Sequence, residues 1–181
     1  MNRTFRCLSL LLTLGLAGAL ARAAPADPPR APEFTHREAA AWINTAPLTL
    51  AALRGKVVLV EFWTFDCINC LRSLPWMKAT LQKYARDDLV IVGVHTPELA
   101  EEKVPANVAK AVQRLQIPYP VMIDADYSYW NALRNRYWPA FYLVDREGKL
   151  RGGAAGELHV NDARARAFEA QIDALLSEPA R

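Results

Sequence analysis

Cysteine is scarce in this chain: 181 residues hold three, Cys7, Cys67 and Cys70. Three thiols cannot staple a disulfide-built scaffold, and a chain of this length needs none, because one domain of its size can bury a core. A second Cys-x-x-Cys is also missing, which removes the four-thiolate zinc motif. Acidic residues are absent before Asp27, while Arg3, Arg6 and Arg22 lie in that stretch. No internal repeat is present.

The N-terminal bias has a simple reading. Arg3 and Arg6 precede an apolar run from Leu8 to Leu20, and small residues follow at Ala21, Ala23 and Ala24. This is the charged, apolar, small-residue order of a secretory signal over 1–23. The run is apolar all round, unlike an amphipathic core helix. An uncleaved membrane anchor is the alternative, although the run is shorter than the ~20 residues that span a bilayer comfortably. Cys7 precedes the run, whereas a lipoprotein cysteine would follow it. Removal of the segment takes the formal charge from +3 to about zero and leaves 19 basic residues against 19 acidic ones. Nucleic-acid binding then has no electrostatic footprint. The expected location is periplasmic or otherwise extracytoplasmic, with Cys67 and Cys70 as the only thiols.

Residues 24–33 are proline-rich and lack an apolar period, so they read as an extended tether, and globular sequence occupies 34–181. A short helix is expected over 36–44. The run Val57 to Trp63 is almost continuously apolar, the mark of a strand covered on both faces. A helix follows over about 67–84 with Pro75 inside it, then a buried strand over 89–94. Further elements are a helix over about 101–115, with a late start at Pro105 as the alternative, a strand over 120–124 and a short helix over 127–135. After Trp138-Pro139 come a strand over 140–144, a turn at 145–148 and a hairpin partner at 149–151. A final helix over about 161–177 is capped by Asn161 or Asp162. The class is α/β, a central mixed sheet flanked by helices.

Cys67-Ile68-Asn69-Cys70 lies where the first buried strand turns into a helix. An attacking sulfur must be a thiolate, and a helix N-terminus offers unsatisfied N–H groups and a positive dipole end. Cys67 holds that position and reads as the nucleophile. Cys70, one turn further in, is better shielded and would resolve the mixed disulfide. Glu61 is a carboxylate inside an apolar strand, where burial would raise its pKa and let it exchange protons with Cys70. The alternative is an edge residue that reaches water.

The segment Glu61 to Cys70 resembles the active-site strand and loop of the thioredoxin superfamily. Glu61, six before the first cysteine, matches that family's buried carboxylate, and Pro75, five after the second, matches its helix-kinking proline. Pro139 falls where the family places a cis-proline whose loop pairs with substrate backbone. Residues 53–56 and the inserted helix and strand around 101–124 are similar to the extracytoplasmic TlpA/ResA branch. A nearer resemblance, covering 34–181, is to the thioredoxin-like domain of DipZ-type cytochrome c biogenesis proteins, which share wording like Cys-Ile-Asn-Cys, Gly93 to Glu98 and Asn135 to Ala140. The resemblance implies protein thiol and disulfide substrates, a redox-active Cys67–Cys70 disulfide and no cofactor. Such relatives often carry a CcdA-like membrane domain, so a separate membrane electron donor of the CcdA/DsbD kind is expected here.

Asp66 replaces an aromatic residue usual in thioredoxin. It is expected to cap the helix, and its charge would oppose a Cys67 thiolate. With no histidine in Ile68-Asn69, this leans toward a reductase. His95 is expected at the active-site edge, either as a modulator or as a structural histidine. Trp63, Phe65, Trp76 and Trp138 would form either an apolar collar that grips substrate or ordinary core. A metal-delivery protein would use Cys67 and Cys70 with His95 or His159, but a copper-delivery site of the Sco type would have three residues between its cysteines. A thiol peroxidase would use Thr64 three before Cys67, but the proline expected four earlier still is Val60. A binding module without turnover would not need both cysteines. The expectation is a thiol–disulfide oxidoreductase with no metal.

Overall fold

In the computed structural model, which describes residues 27–85 and 88–179, strand β2 (Val57–Trp63) is buried along its whole length. Its β-branched and aromatic side chains alternate between two faces, and each face needs an apolar layer. Val57, Leu59 and Trp63 join Trp76, Met77, Phe141 and Phe168 on one side. Val58, Val60 and Phe62 join Phe34, Trp42 and Tyr129 on the other. Glu61 shares parity with the first set.

The sheet grows outward from β2. Strand β3 (Leu89–His95) lies parallel to it, and β4 (Val121–Ile123) lies parallel to β3. On the other side β5 (Ala140–Val144) and β6 (Leu150–Ala155) add antiparallel strands, and β1 (Trp42–Ile43) closes the far edge against β4. The order is β1-β4-β3-β2-β5-β6. Helices α1 (Ile68–Lys83), α2 (Pro105–Arg114) and α4 (Ala163–Ser177) feed Trp76, Val108 and Phe168 into the first cluster. Helix α3 (Ser128–Ala132) sends Tyr129 into the second. This is the expected mixed sheet flanked by helices, with α2 and β4 as the inserted pair.

Several boundaries differ from the sequence reading. Instead of a helix over 36–44, a single 3-10 turn at Ala39–Ala41 leads into β1. Tertiary contacts override the alanines' helix preference. Phe34 and Trp42 meet edge to face at 5.5 Å, and Trp42 Nε1 donates to the His36 carbonyl at 2.9 Å. Strand β6 runs on to Ala155 rather than ending at 151. Gly153 permits this, since a Cβ there would lie 2.8 Å from the Phe141 carbonyl oxygen. Helix α2 starts at Pro105, where the missing N–H costs nothing. Asp162, not Asn161, caps α4 by accepting from Ala165 N–H.

The chain before Phe34 is laid along the β5–β6 turn. Arg30 bridges to Lys149, Ala31 N–H donates to the Gly148 carbonyl, and the Glu33 carboxylate accepts from the N–H groups of Phe34, Leu50 and Ala51. The segment expected as a signal over 1–23, and residues 24–26 of the tether, lie outside the described residues. No described helix is long and apolar enough to cross a membrane.

Candidate active site

Beyond Trp63 the backbone leaves the sheet through Thr64, Phe65 and Asp66 and reaches Cys67, which is extended and caps α1. Its Sγ accepts from Cys70 N–H at 3.3 Å, and its carbonyl accepts from Leu71 N–H at 3.0 Å. The thiol thus takes the place of a capping oxygen, aimed at amides that have no helical partner. A hydrogen bond from the Cys70 thiol, assisted by the N–H groups of Cys70 and Asn69, pulls the Cys67 pKa down to about 7 against the opposing effects of burial and the Glu98 carboxylate. Cys70 moves the opposite way. Burial first, then the hydrogen bond it donates to Cys67, pushes its pKa far up. Both cysteines are free thiols in this structure.

Glu61 lies mid-strand on the side of the sheet that carries α1, and only 2% of its surface is exposed. Burial lifts its pKa to about 8, although the Tyr119 hydroxyl donates to Oε2 at 2.9 Å and favours the carboxylate. The edge-residue alternative is thereby excluded. Tyr119 was not visible as a site residue in the sequence; a glycine, Gly93, opposite an ionisable strand residue was its one trace.

Pro139 is buried and follows a cis peptide bond. Phe62 pairs with Ala140, so the Pro139 loop lies at the end of β2 from which the Cys67 turn emerges. Trp138 is half-buried, its ring tilted against Trp130 with centroids 4.1 Å apart, and its Nε1 donates to the Thr96 carbonyl at 3.0 Å.

Three expectations need correction. Trp63 and Trp76 are core residues at 3% and 1% exposure, so the collar reduces to the partly exposed Phe65 and Trp138. His95 does not emerge at the edge. It is sealed between Trp63 and Phe65, its Nε2 lies 3.2 Å from Thr64 Oγ1, and burial lowers its pKa to about 4, which keeps it neutral. Asp66 is exposed and does not cap α1; its backbone N–H donates to Glu102 Oε1 at 3.0 Å. Glu98 is a carboxylate that opposes the Cys67 thiolate. Glu102, buried and unforeseen, also accepts from the N–H groups of Glu98 and Leu99, and so ties the turn after β3 to the cysteine turn.

The competing chemistries find little support in this geometry. The Thr64 hydroxyl is occupied by His95 and Glu102 rather than offered to a peroxide at Cys67. His159 is a surface residue paired with Glu157 at 2.8 Å. Among the described residues, the only trio arranged to hold a metal is His36, Asp124 and Asp126, which contains no cysteine.

The AhpC/TSA family profile matches residues 29–152. The chain belongs to that family. Within it the chain falls in the thioredoxin-like branch of DipZ and ResA. Protein DipZ of Mycobacterium bovis is 50% identical over 119 residues, covering 64% of this chain but 17% of DipZ. The match therefore spans a small part of that longer relative. Thiol-disulfide oxidoreductase YkuV of Bacillus subtilis is 30% identical over 125 residues, covering 69% of this chain and 82% of YkuV. A crystal structure assigned as thiol:disulfide interchange protein DsbE from Chlorobium tepidum superposes with a TM-score of 0.71 at 25% identity, covering 83% of this chain and 97% of that one. The fold is thioredoxin-like, and the relatives of similar length are named thiol–disulfide oxidoreductases.

Proposed function

We propose that the chain reduces disulfides in extracytoplasmic proteins. The observation that carries this reading is the opposite displacement of two thiols three residues apart, Cys67 down and Cys70 up. Cys67 as thiolate attacks a substrate disulfide, forms a mixed disulfide and expels one substrate thiolate. Cys70 then gives its proton to Glu61 and attacks Cys67 Sγ. The second substrate thiolate leaves, and Cys67–Cys70 closes as a disulfide. The substrate gains two electrons and the protein loses two. Phe65 and Trp138 offer apolar contact beside the thiol, and the Pro139 loop receives the extended backbone of the substrate.

The direction of flow follows from Cys67. A nucleophile near 7 resembles that of thioredoxin at about 7 rather than a strong oxidant at about 3.5, whose thiolate is far more stabilised. A less stabilised thiolate makes a better electron donor. Each turnover leaves an oxidised pair, so two electrons must be returned, and a separate membrane donor of the CcdA/DsbD kind fits a domain similar to part of DipZ. The charge and apolar order of residues 1–23 supports export.

Replacement of Cys70 with Ser removes the resolving thiol. Envelope extracts should then yield partners linked to Cys67 through bonds that dithiothreitol cleaves. Extracts without such adducts, when the wild-type thiols react normally with a small disulfide, would contradict protein substrates.

A further inference from the structure

Gly93 and Glu61 are directly paired in the parallel ladder between β3 and β2. Gly93 N–H donates to the Pro120 carbonyl at 2.9 Å, which fixes the neighbouring Tyr119 beside this rung. The ring then occupies space that any side chain at 93 would contest. A Cβ there would stand 3.1 Å from Tyr119 Cε2 and 3.0 Å from Trp63 Nε1. The missing side chain therefore opens the route by which a wholly buried hydroxyl reaches Glu61 Oε2 at 2.9 Å. Among the described residues, the ionisable groups that act on Glu61 are Tyr119 from the segment before β4 and Cys67 and Cys70 from the turn and α1. Strand β5 presents only Phe141 at this rung.

We propose that Tyr119 is a positioning residue for the proton transfer, holding Glu61 by Oε2 so that Oε1 is left to take the Cys70 proton. The proposal rests on Glu61 as the proton carrier. The hydroxyl donates only to the carboxylate's benefit, since a donor stabilises the charged form more than the protonated one. It also stays protonated itself, because burial and the neighbouring carboxylate raise its pKa well above 10. Tyr119 thus sets the pH at which Glu61 is ready to accept, without entering the exchange. Two substitutions separate the elements of the arrangement. Tyr119→Phe removes one oxygen and keeps the ring, and Gly93→Ala keeps the oxygen but displaces the ring.

The test uses reduced protein and Ellman's disulfide. Cys67 attack releases one thionitrobenzoate at a rate set by the concentration of Ellman's disulfide, and Cys70 attack on the mixed disulfide releases the second at a rate independent of it, so the concentration-independent release is the resolution step. Its rate is followed from pH 5 to 9 by stopped flow. In the wild type the step should rise through a midpoint near 8, the Glu61 value. Tyr119→Phe should move that midpoint up by about one pH unit, which is about tenfold slower resolution at pH 7. Gly93→Ala should shift it the same way by less. In a Glu61→Gln background Tyr119→Phe should change nothing further. If Glu61→Gln removes the midpoint but Tyr119→Phe leaves it in place, the Tyr119 inference is overturned while the Glu61 role stands. If Tyr119→Phe slows both backgrounds equally, the tyrosine acts by packing and the inference is again overturned. A profile unchanged by Glu61→Gln removes the proton carrier itself.

Discussion

Glu61 and Asp124 are both sealed inside this fold, and they are treated differently. Asp124, after β4, is fully buried and accepts from Thr96 Oγ1, Ser128 Oγ and the N–H groups of Tyr129 and Trp130. Glu61, in mid-β2, is buried almost as completely and, among the described residues, accepts from the Tyr119 hydroxyl alone. Four donors replace the water that Asp124 gave up and make it an anchor for the start of α3. One donor does not, and Glu61 keeps its proton to about 8. Burial alone does not decide whether a carboxylate is structural or reactive. The number of donors aimed at it does.

The largest break in this contrast comes from the anchor. Asp124→Ala strands four buried or half-buried donors and should destabilise the protein by about 4 kcal/mol in urea unfolding, with the exchange rate of the folded fraction unchanged. Glu61→Gln should do the reverse. The folded-state pKa of Glu61 lies above the ordinary 4.5, so its contribution to stability is fully present below pH 4.5 and falls as pH rises toward 8. Gln cannot ionise and escapes that loss. The variant should be more stable than wild type by about 3 kcal/mol at pH 7, with the difference vanishing below about pH 4.5. Equal stability at pH 7 would show that Glu61 is better solvated than its burial implies. The smallest effect concerns the acidic groups near the thiol. Glu98→Gln should lower the pH midpoint of Cys67 alkylation by about 0.3, an exposed charge being heavily screened, and Asp66→Asn should lower it less.

These contrasts also mark what the sequence discloses. The apolar run 57–63, the Cys-x-x-Cys turn and the helix after it are local patterns, and each appears where expected, with Glu61 conspicuous as a charge inside the run. The partners of Glu61 are not local. Tyr119 reaches it through strand register, 58 residues away along the chain. Glu102 reaches the Asp66 N–H from a turn that has no strong period of its own. His95 was misplaced for a related reason: β3 ends one residue later than expected, and pairing with Trp63 turns the ring into the core. Tryptophan is ambiguous in composition, and the neighbours that decide it, Phe141 and Phe168 around Trp76, come from distant elements. At 36–44 the alanines favour a helix locally, but the apolar layer under the sheet takes Phe34 and Trp42 instead.

The central claim is that one thiol is poised and the other withheld. Brief alkylation of the reduced protein with iodoacetamide across pH 5–10, with mass mapping of the labelled cysteine, tests it most directly. The account predicts labelling of Cys67 alone, half-maximal near pH 7, with Cys70 unmodified throughout. Labelling of both cysteines together, or a Cys67 midpoint near the ordinary 9, would contradict it.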